Sequence, residues 1–497
     1  MNRKKMKTIS FIVIITILSI ILLAACSSQN DSTELKDNES NLDNESNDDI
    51  SEITEIETNV YKFPDKDLGG YTVRLVTISN EDWAITDLDV QEEIGEPVND
   101  AIYRRNRQVE EALNVGIQEI PSGITSHDKV KKSVTSGLDE YDIMFAHAVS
   151  GGPLASAGYY VNLLDIASLN LDEPYWDQGA VKSFEIMNKL YFTTSDACLM
   201  TSESLWVLYF NKKIHQNLGL EDPYKLAREG RWTVDAMYNM AREAAIDLDG
   251  DGKFTANDQW GTSSWSLSFL HFLGGQGEPL VKKDENGYPA LITPDEKFIS
   301  AFSKVRTLTD RTNGMYLEAG ALPGADFNHA TKPFMNEHTL FCAEVLGWSR
   351  KFREMTADFG ILPHPKYDEK QENYFNGTAH VVPIVAIPIT NPDPERTGVF
   401  IDALTALSAT TITPAYYTIS LEGKFTRDDD SIEMLDIIRA NRVYELAVIY
   451  NWGGFYNTLI GHGMSANGEN PLTVFEKQAD RVKTQIDNMI ESFQSIE

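Results

Sequence analysis

The segment from Asp247 to Asp258 has the residue types and spacing of a calcium loop. It reads Asp-Leu-Asp-Gly-Asp-Gly-Lys-Phe-Thr-Ala-Asn-Asp. Carboxylates at positions 1, 3 and 5 and a glycine at position 6 fit the EF-hand type of pattern, in which hard oxygen ligands converge on the ion. Lys253 stands at position 7, where only a backbone carbonyl is needed, and Asp258 replaces the usual glutamate at position 12. The sequence predicts a structural calcium site with Asp247, Asp249, Asp251, Lys253 and Asp258 as ligands; an acidic turn without an ion is the alternative.

Three further carboxylates, Glu81, Asp196 and Glu344, are candidates for a catalytic pair. Cleavage of a glycosidic bond needs two carboxyl groups about 5–10 Å apart. An acidic chain supplies such pairs by chance, and this one has 75 Asp and Glu against 43 Lys and Arg. The sequence contains no Gly-x-Ser-x-Gly elbow, His-Glu-x-x-His, phosphate loop or Cys-x-x-Cys. A calcium-stabilised glycoside hydrolase is therefore an alternative and not the favoured hypothesis.

The elements that position these residues alternate between strands and helices. Residues 71–78, 115–120, 142–146 and 190–194 have the composition of strands, and Val98 to Leu113 has the apolar spacing of a helix. This order predicts mostly parallel sheets with helices on their faces. Ligands bind such sheets in the loops at the carboxyl ends of the strands. Those loops here are 80–83, 147–152 and 195–196.

The first 60 residues predict export and anchoring. Residues 2–7 are positively charged, 9–23 are apolar, and Leu23-Ala24-Ala25-Cys26 follows directly, which is the layout of a secretory signal. The last four residues resemble the bacterial lipobox, so 1–25 is predicted to be a lipoprotein signal peptide and Cys26 the lipidated residue. An ordinary signal peptide with a chance cysteine is the alternative. Residues 26–60 are polar and acidic, which predicts a disordered tether.

Composition restricts the remaining part of the chain. Its roughly 435 residues exceed what one core holds, so two lobes are expected. The formal charge of -32 argues against nucleic acid and against an anionic membrane surface as partners. One disulfide between Cys198 and Cys342 is possible outside the cell, but two buried small apolar side chains are expected. No second apolar stretch is long enough to span a bilayer.

Several segments in order resemble one protein family. One segment is similar to the family pattern "G(V/I)xPxPK": Phe359-Gly360-Ile361-Leu362-Pro363-His364-Pro365-Lys366. A second set of segments, residues 206–214, 219–220 and 230–235, resembles the pattern "YNK…GL…P…L…GxWTWDE". Residues 376–378 and 385–388 resemble the Gly-containing loop and strand that follow. The family is the family 1 extracellular solute-binding proteins, the maltose-binding-type receptors of ABC importers.

The resemblance implies an α/β, two-lobed periplasmic-binding-protein-like fold of type II, with lobes joined by crossing hinge strands. The N-terminal lobe would comprise 61–208 plus 360–410, and the C-terminal lobe 209–359 plus 411–497. The implied protein is a monomeric receptor without catalytic activity, lipid-anchored on the extracellular face of the cell membrane. It would capture a carbohydrate in the interlobe cleft and deliver it to ABC permease subunits. A receptor that feeds a sensor kinase is a further alternative.

The resemblance also directs attention to tryptophans as sugar contacts, because aromatic rings stack on the apolar face of a pyranose. Trp348, after the predicted strand 339–345, matches a position where the family often carries a stacking tryptophan. For each tryptophan, ordinary packing in the core is the alternative. The full set of predicted ligand-binding residues is Trp348, Trp265, Trp83, Glu81, His147, Asp196 and Trp452.

Overall fold

The computed structural model describes residues 61–78, 83–322, 330–417, 429–465 and 468–496, all within one compact unit, Val60–Glu497. The predicted signal peptide, Cys26 and the tether lie outside the described residues, as does Glu81. These predictions stay predictions.

The described strands, in chain order, are β1 (Tyr71–Thr77), β2 (Val115–Pro121), β3 (Ile143–His147), β4 (Trp206–Asn211), β5 (Trp260–Ser264), β6 (Val281–Lys283), β7 (Pro289–Leu291), β8 (Tyr316–Glu318), β9 (Thr339–Val345), β10 (Phe359–Leu362), β11 (Asn376–Gly377), β12 (Pro383–Ala386) and β13 (Arg442–Val443).

The described helices are α1 (Pro97–Leu113), α2 (Ser126–Thr135), α3 (Ala148–Ala155), α4 (Gln178–Phe184), α5 (Met200–Glu203), α6 (Lys212–Leu218), α7 (Pro223–Arg228), α8 (Val234–Ala244), α9 (Ser268–Gly275), α10 (Glu296–Leu308), α11 (Thr331–Met335), α12 (Ser349–Phe352), α13 (Pro394–Thr410), α14 (Ile412–Pro414), α15 (Asp429–Ala440), α16 (Leu446–Ile449), α17 (Phe455–Gly463) and α18 (Pro471–Ser495).

A first sheet has the strand order β12-β3-β1-β2. Strand β1 pairs in parallel with β2 and β3, and β12 pairs antiparallel with β3. The strands predicted near residues 71, 115 and 142 are confirmed, with ends shifted by about one residue. The strand predicted at 190–194 is wrong, because only Thr193 of this segment pairs, through a single bridge to Val385.

A second sheet has the order β10-β4-β9-β5-β8. Strand β5 pairs in parallel with β8 and β9, whereas β4 pairs antiparallel with both β9 and β10. The prediction of mostly parallel sheets is therefore wrong for this sheet. Helices α6, α7 and α8 separate β4 from β5, yet β4 runs opposite to β5 and β9, so the alternation of strands with helices in the sequence did not determine the direction of β4. Both β4 and β10 lie wholly in this sheet, and the exact limits of the lobes stay predictions.

The expectation that no second apolar stretch is long enough to span a bilayer is wrong, because one helical segment has the length and composition of a membrane span. This segment nevertheless packs as a core helix. The 24 residues Pro394–Tyr417 include α13, and 72% of the most apolar window is buried inside the protein. Asp402 on α13 anchors it, since its carboxylate accepts hydrogen bonds from the Trp176 indole at 3.0 Å and the Asn170 amide at 2.7 Å.

Apolar side chains link the two sheets. A continuous buried cluster contains Leu75 and Phe145 from the first sheet together with Leu208 and Phe341 from the second. Cys198 and Cys342 are both buried and unpaired, as expected.

The long C-terminal helix α18 contacts elements on both sides of this junction. Near its start, the Phe475 ring packs against Phe298 of α10 at 5.1 Å between ring centroids. Near its end, Phe493 packs against Tyr191 at 4.7 Å, beside the bridge to the first sheet. The helix therefore reaches from one sheet's side to the other.

Candidate functional site

Four of the predicted residues lie at the carboxyl ends of strands. His147 ends β3 and Trp83 follows β1 in the first sheet; Trp265 follows β5 and Trp348 follows β9 in the second. This is the edge at which ligands bind α/β sheets.

Trp83 contacts the turn that carries Trp348. A Cβ atom added to Gly347 would overlap the backbone carbonyl oxygen of Trp83 and lie 3.1 Å from its ring. Only glycine permits this close approach of the two segments. Trp348 is partly buried and has the Lys351 ammonium 4.6 Å from its ring centroid. The structure therefore brings together two tryptophan-bearing loops from different sheets.

Glu203, a residue that the sequence prediction missed, lies against the same turn. Its Cβ is 3.3 Å from the position of the added Gly347 Cβ, and its carboxylate forms an ion pair with Arg350 at 3.1 Å. The backbone N–H of Ile85 donates to its other oxygen. Burial raises the pKa of Glu203 to about 7, and Arg350 and the Ile85 N–H oppose that rise. The signal for it was a lone carboxylate just before the strand that carries the family resemblance.

Trp265 is held by the buried carboxylate of Glu344. The side chain of Trp265 hydrogen-bonds to Glu344 on β9, and its backbone carbonyl accepts from the Tyr316 hydroxyl at 2.7 Å. Trp265 nevertheless keeps 39% of its surface exposed, which is rare for so large an apolar side chain. Burial raises the pKa of Glu344 to about 7, partly opposed by the Val345 N–H and Trp265. We call Trp83, Trp265 and Trp348, with Glu203 and Glu344, the aromatic site.

Two imidazoles with lowered pKa values, those of His380 and His271, lie near strands of the two sheets. His147 is buried next to His380, and burial, together with His147, lowers the pKa of His380 to about 4. The His271 ring stacks on Trp206 with 4.3 Å between centroids, and burial lowers its pKa too. A neutral imidazole can both donate and accept a hydrogen bond, which suits an uncharged hydroxyl group.

Two predicted residues have other surroundings. Asp196 is half-buried, and its carboxylate accepts from the Ser202 hydroxyl at 3.2 Å and lies near Arg442. Trp452 is buried and stacks on Tyr450 with 5.0 Å between ring centroids, next to the side chain of Gln485 on α18. Trp452 packs as a core residue in this structure, and we leave it out of the aromatic site.

The acidic loop brings three of its carboxylates together. Ligand oxygens of Asp247, Asp249 and Asp258 all lie within 4.8 Å of one another. Gly250 and Gly252 have φ of +72° and +82°, and their N–H groups donate to the two oxygens of Asp247. Asp251 is outside this cluster and accepts from the Lys253 N–H at 2.8 Å. The arrangement fits a hard divalent cation held by carboxylate oxygens.

Comparisons with known proteins rest on structure alone. No family model matches the chain, and no curated protein matches it by sequence. Similar solved structures include an ABC substrate-binding protein of Listeria monocytogenes in complex with cycloalternan, with 12% identity, a TM-score of 0.54, and coverage of 84% of this chain and 99% of the neighbour.

Two more neighbours give the same result. The apo form of RafE from Streptococcus pneumoniae has 15% identity and a TM-score of 0.54, covering 85% of this chain and 100% of the neighbour. The maltose/maltodextrin-binding domain MalE of Bdellovibrio bacteriovorus, bound to maltotriose, has 14% identity and a TM-score of 0.52, covering 84% and 100%. The α/β fold class predicted from the sequence is confirmed: this chain has the two-lobed fold of the maltose-type substrate-binding proteins of ABC importers.

Proposed function

We propose that the protein is an extracellular receptor that captures a carbohydrate between its lobes and delivers it to an ABC importer, with no catalytic step. The observation that carries the proposal is the contact of Trp83 with the turn before Trp348. This contact joins aromatic residues from the ligand-binding edges of both sheets. The fold is shared with receptors whose structures hold cycloalternan and maltotriose, so an oligosaccharide is the favoured class of solute.

The aromatic site supplies both kinds of contact that a sugar needs. Its indole rings offer flat apolar surfaces for the C–H face of a pyranose. Glu203 and Glu344 offer planar acceptors, or donors when protonated, and His147 adds an imidazole. A solute that touches both lobes favours the closed arrangement by its differential affinity for it. Binding is therefore coupled to closure.

The proposal extends to the anchor and the calcium loop. Cys26 would hold the receptor on the outer face of the cell membrane, and the acidic tether would extend it from the surface. Asp247, Asp249 and Asp258 would hold a calcium ion that stabilises the loop leading into β5, and thereby the strand that presents Trp265. Extracellular calcium modules bind at about 10⁻⁴–10⁻³ M, so this ion would have a structural role.

A titration of the full extracellular part with mono- and oligosaccharides tests the proposal. Isothermal titration calorimetry should give saturable binding of at least one sugar, and chromatography should recover that sugar unchanged. Replacing Trp348 by alanine should weaken binding by about 1–3 kcal/mol. Turnover of the sugar, or the same affinity in the Trp348→Ala variant, would contradict the proposal.

A further inference from the structure

An apolar cavity of about 280 Å³ lies at the junction of the lobes, next to the aromatic site. One wall is helix α9, on the side of the second sheet. The other includes Thr378–His380, which leads into β12 of the first sheet, and α16, which packs on α3. Trp206 separates the cavity from the aromatic site, because it pairs with Val345 of β9 and stacks on His271 of the cavity wall.

The wall formed by α9 has the spacing of a binding face. Leu267, Leu270 and Gly274 all line the cavity, and their spacing of three and four residues places them on one face of the helix. All three residues are only partly buried, because no other side chain packs closely against them on the cavity side. A protein interior has few voids larger than a water molecule. This cavity is therefore large enough to be a site.

The polar groups around the cavity are suited to an uncharged ligand. The Glu445 carboxylate accepts from the backbone N–H groups of Leu280 and Ala447, at 2.8 and 3.0 Å. Glu278 forms an ion pair with Lys297 at 2.7 Å. The Nδ1 atom of His380 has no hydrogen-bond partner among the described residues, but it is also buried from the cavity and therefore adds no polar contact to its lining.

We propose that this cavity binds a small uncharged apolar group, aromatic or branched aliphatic. An engineered cavity of about 150 Å³ binds benzene, so the volume here admits a substituted ring. The group has two possible sources, a free small molecule or an apolar substituent on the captured sugar. Only the second source rests on the proposed function.

Filling the cavity from Gly274 is the sharpest test. A Cβ atom added at Gly274 would have no atom within 4 Å, so a larger side chain fits there. Gly461, an exposed glycine of α17, is the control, because its added Cβ is equally unobstructed but it does not line the cavity. Gly274→Leu should weaken binding of indole at least tenfold in calorimetry, while Gly461→Leu should bind indole like the parent protein. Failure of the parent protein to bind indole, or equal binding by the Gly274→Leu variant, would overturn the proposal.

A second variant changes the cavity in the opposite direction. Leu270→Ala should enlarge the cavity and strengthen binding of 2-naphthol relative to phenol at least threefold. An unchanged ratio of the two affinities would count against the site. This comparison stands even where the Gly274→Leu protein does not fold.

The two sources are distinguished by glycosides. If the group is a substituent of the sugar, the parent protein should bind phenyl β-glucoside more tightly than methyl β-glucoside. The Gly274→Leu variant should then bind the two glucosides with equal affinity. Indole binding with no such difference between the glycosides identifies a free molecule. Absence of binding to every mono- and oligosaccharide in the calorimetric titration, with indole binding retained, would refute the proposed function and leave the cavity site intact.

Discussion

The acidic loop, residues 247–258, and the aromatic site are built in opposite ways. The loop takes its carboxylates from a stretch between Asp247 and Asp258, and local backbone hydrogen bonds shape it. The aromatic site takes Trp83, Trp265 and Trp348 from distant parts of the chain and two sheets. A contiguous site is therefore specified by the local sequence, whereas the aromatic site exists only when the whole fold has brought its parts together.

The largest expected effect is a change in stability that depends on the acidic loop and not on the aromatic site. Calcium at 100 times its dissociation constant should stabilise the protein by about 2.7 kcal/mol. Asp247→Asn should abolish the shift in melting temperature between calcium and EDTA, because Asp247 lies in the carboxylate cluster. Sugar affinity, measured by calorimetry in calcium, should change less than twofold. An unchanged calcium response in this variant would remove the loop as the metal site.

The next effect breaks the aromatic site without altering an aromatic residue. Gly347→Ala should weaken sugar binding by about 2 kcal/mol, the typical cost of overpacking, because the new methyl group meets the Trp83 carbonyl. The calcium-induced shift should stay as in the parent protein. Small-angle X-ray scattering should give a larger radius of gyration with sugar than the parent has. Affinity equal to that of the parent would show that this contact is not part of closure.

A pH series sharpens the comparison, because the aromatic site contains buried carboxyl groups. The folded-state pKa of Glu344 is about 7, above its unfolded value of 4.5. The contribution of Glu344 to stability is thus fully present below about pH 4.5 and is lost as the pH rises through about 7. Relative to the parent, Glu344→Gln should gain on the order of 1–2 kcal/mol between pH 4.5 and pH 8. Urea denaturation measures it, and a pH-independent difference would contradict it.

The smallest effect concerns a single exposed ring. Trp265→Ala should reduce sugar affinity by about 1 kcal/mol, a small effect because 39% of the side chain is already exposed. Trp452→Phe is the matched control, because Trp452 packs in the core away from the aromatic site. The control should bind sugar with the affinity of the parent. A larger affinity loss in the control than in Trp265→Ala would reverse our assignment of the two residues.

The sequence predicted most where structure is local. The strands near Tyr71, Val115 and Ile143 follow from composition and alternation, and the close carboxylates of the acidic loop follow from spacing. The two-lobed fold was predicted from a resemblance carried by short motifs in a fixed order, and the solved structures that share the fold are only 12% to 15% identical to this chain.

The sequence predicted least where a residue depends on a distant partner. Trp452 and Trp348 both follow apolar segments and precede glycine or serine. Trp452 stacks in the core, whereas Trp348 follows Gly347, which contacts Trp83 from the other sheet. Glu203 was missed because its importance comes from Arg350 and Gly347, which are far along the chain. The antiparallel direction of β4 likewise depends on how the chain passes between sheets.

The C-terminal helix α18 has a mechanical consequence for the two-lobed fold. Its first turns pack on Phe298 and its last turns pack on Tyr191, so the helix connects the sides of the two sheets. Any movement that opens the cleft between the lobes must bend helix α18 or release one of its ends. The range of lobe movement is therefore limited by a helix outside the aromatic site. If the proposed function is correct, substitutions along this helix will alter the rate of solute binding while the aromatic site stays intact.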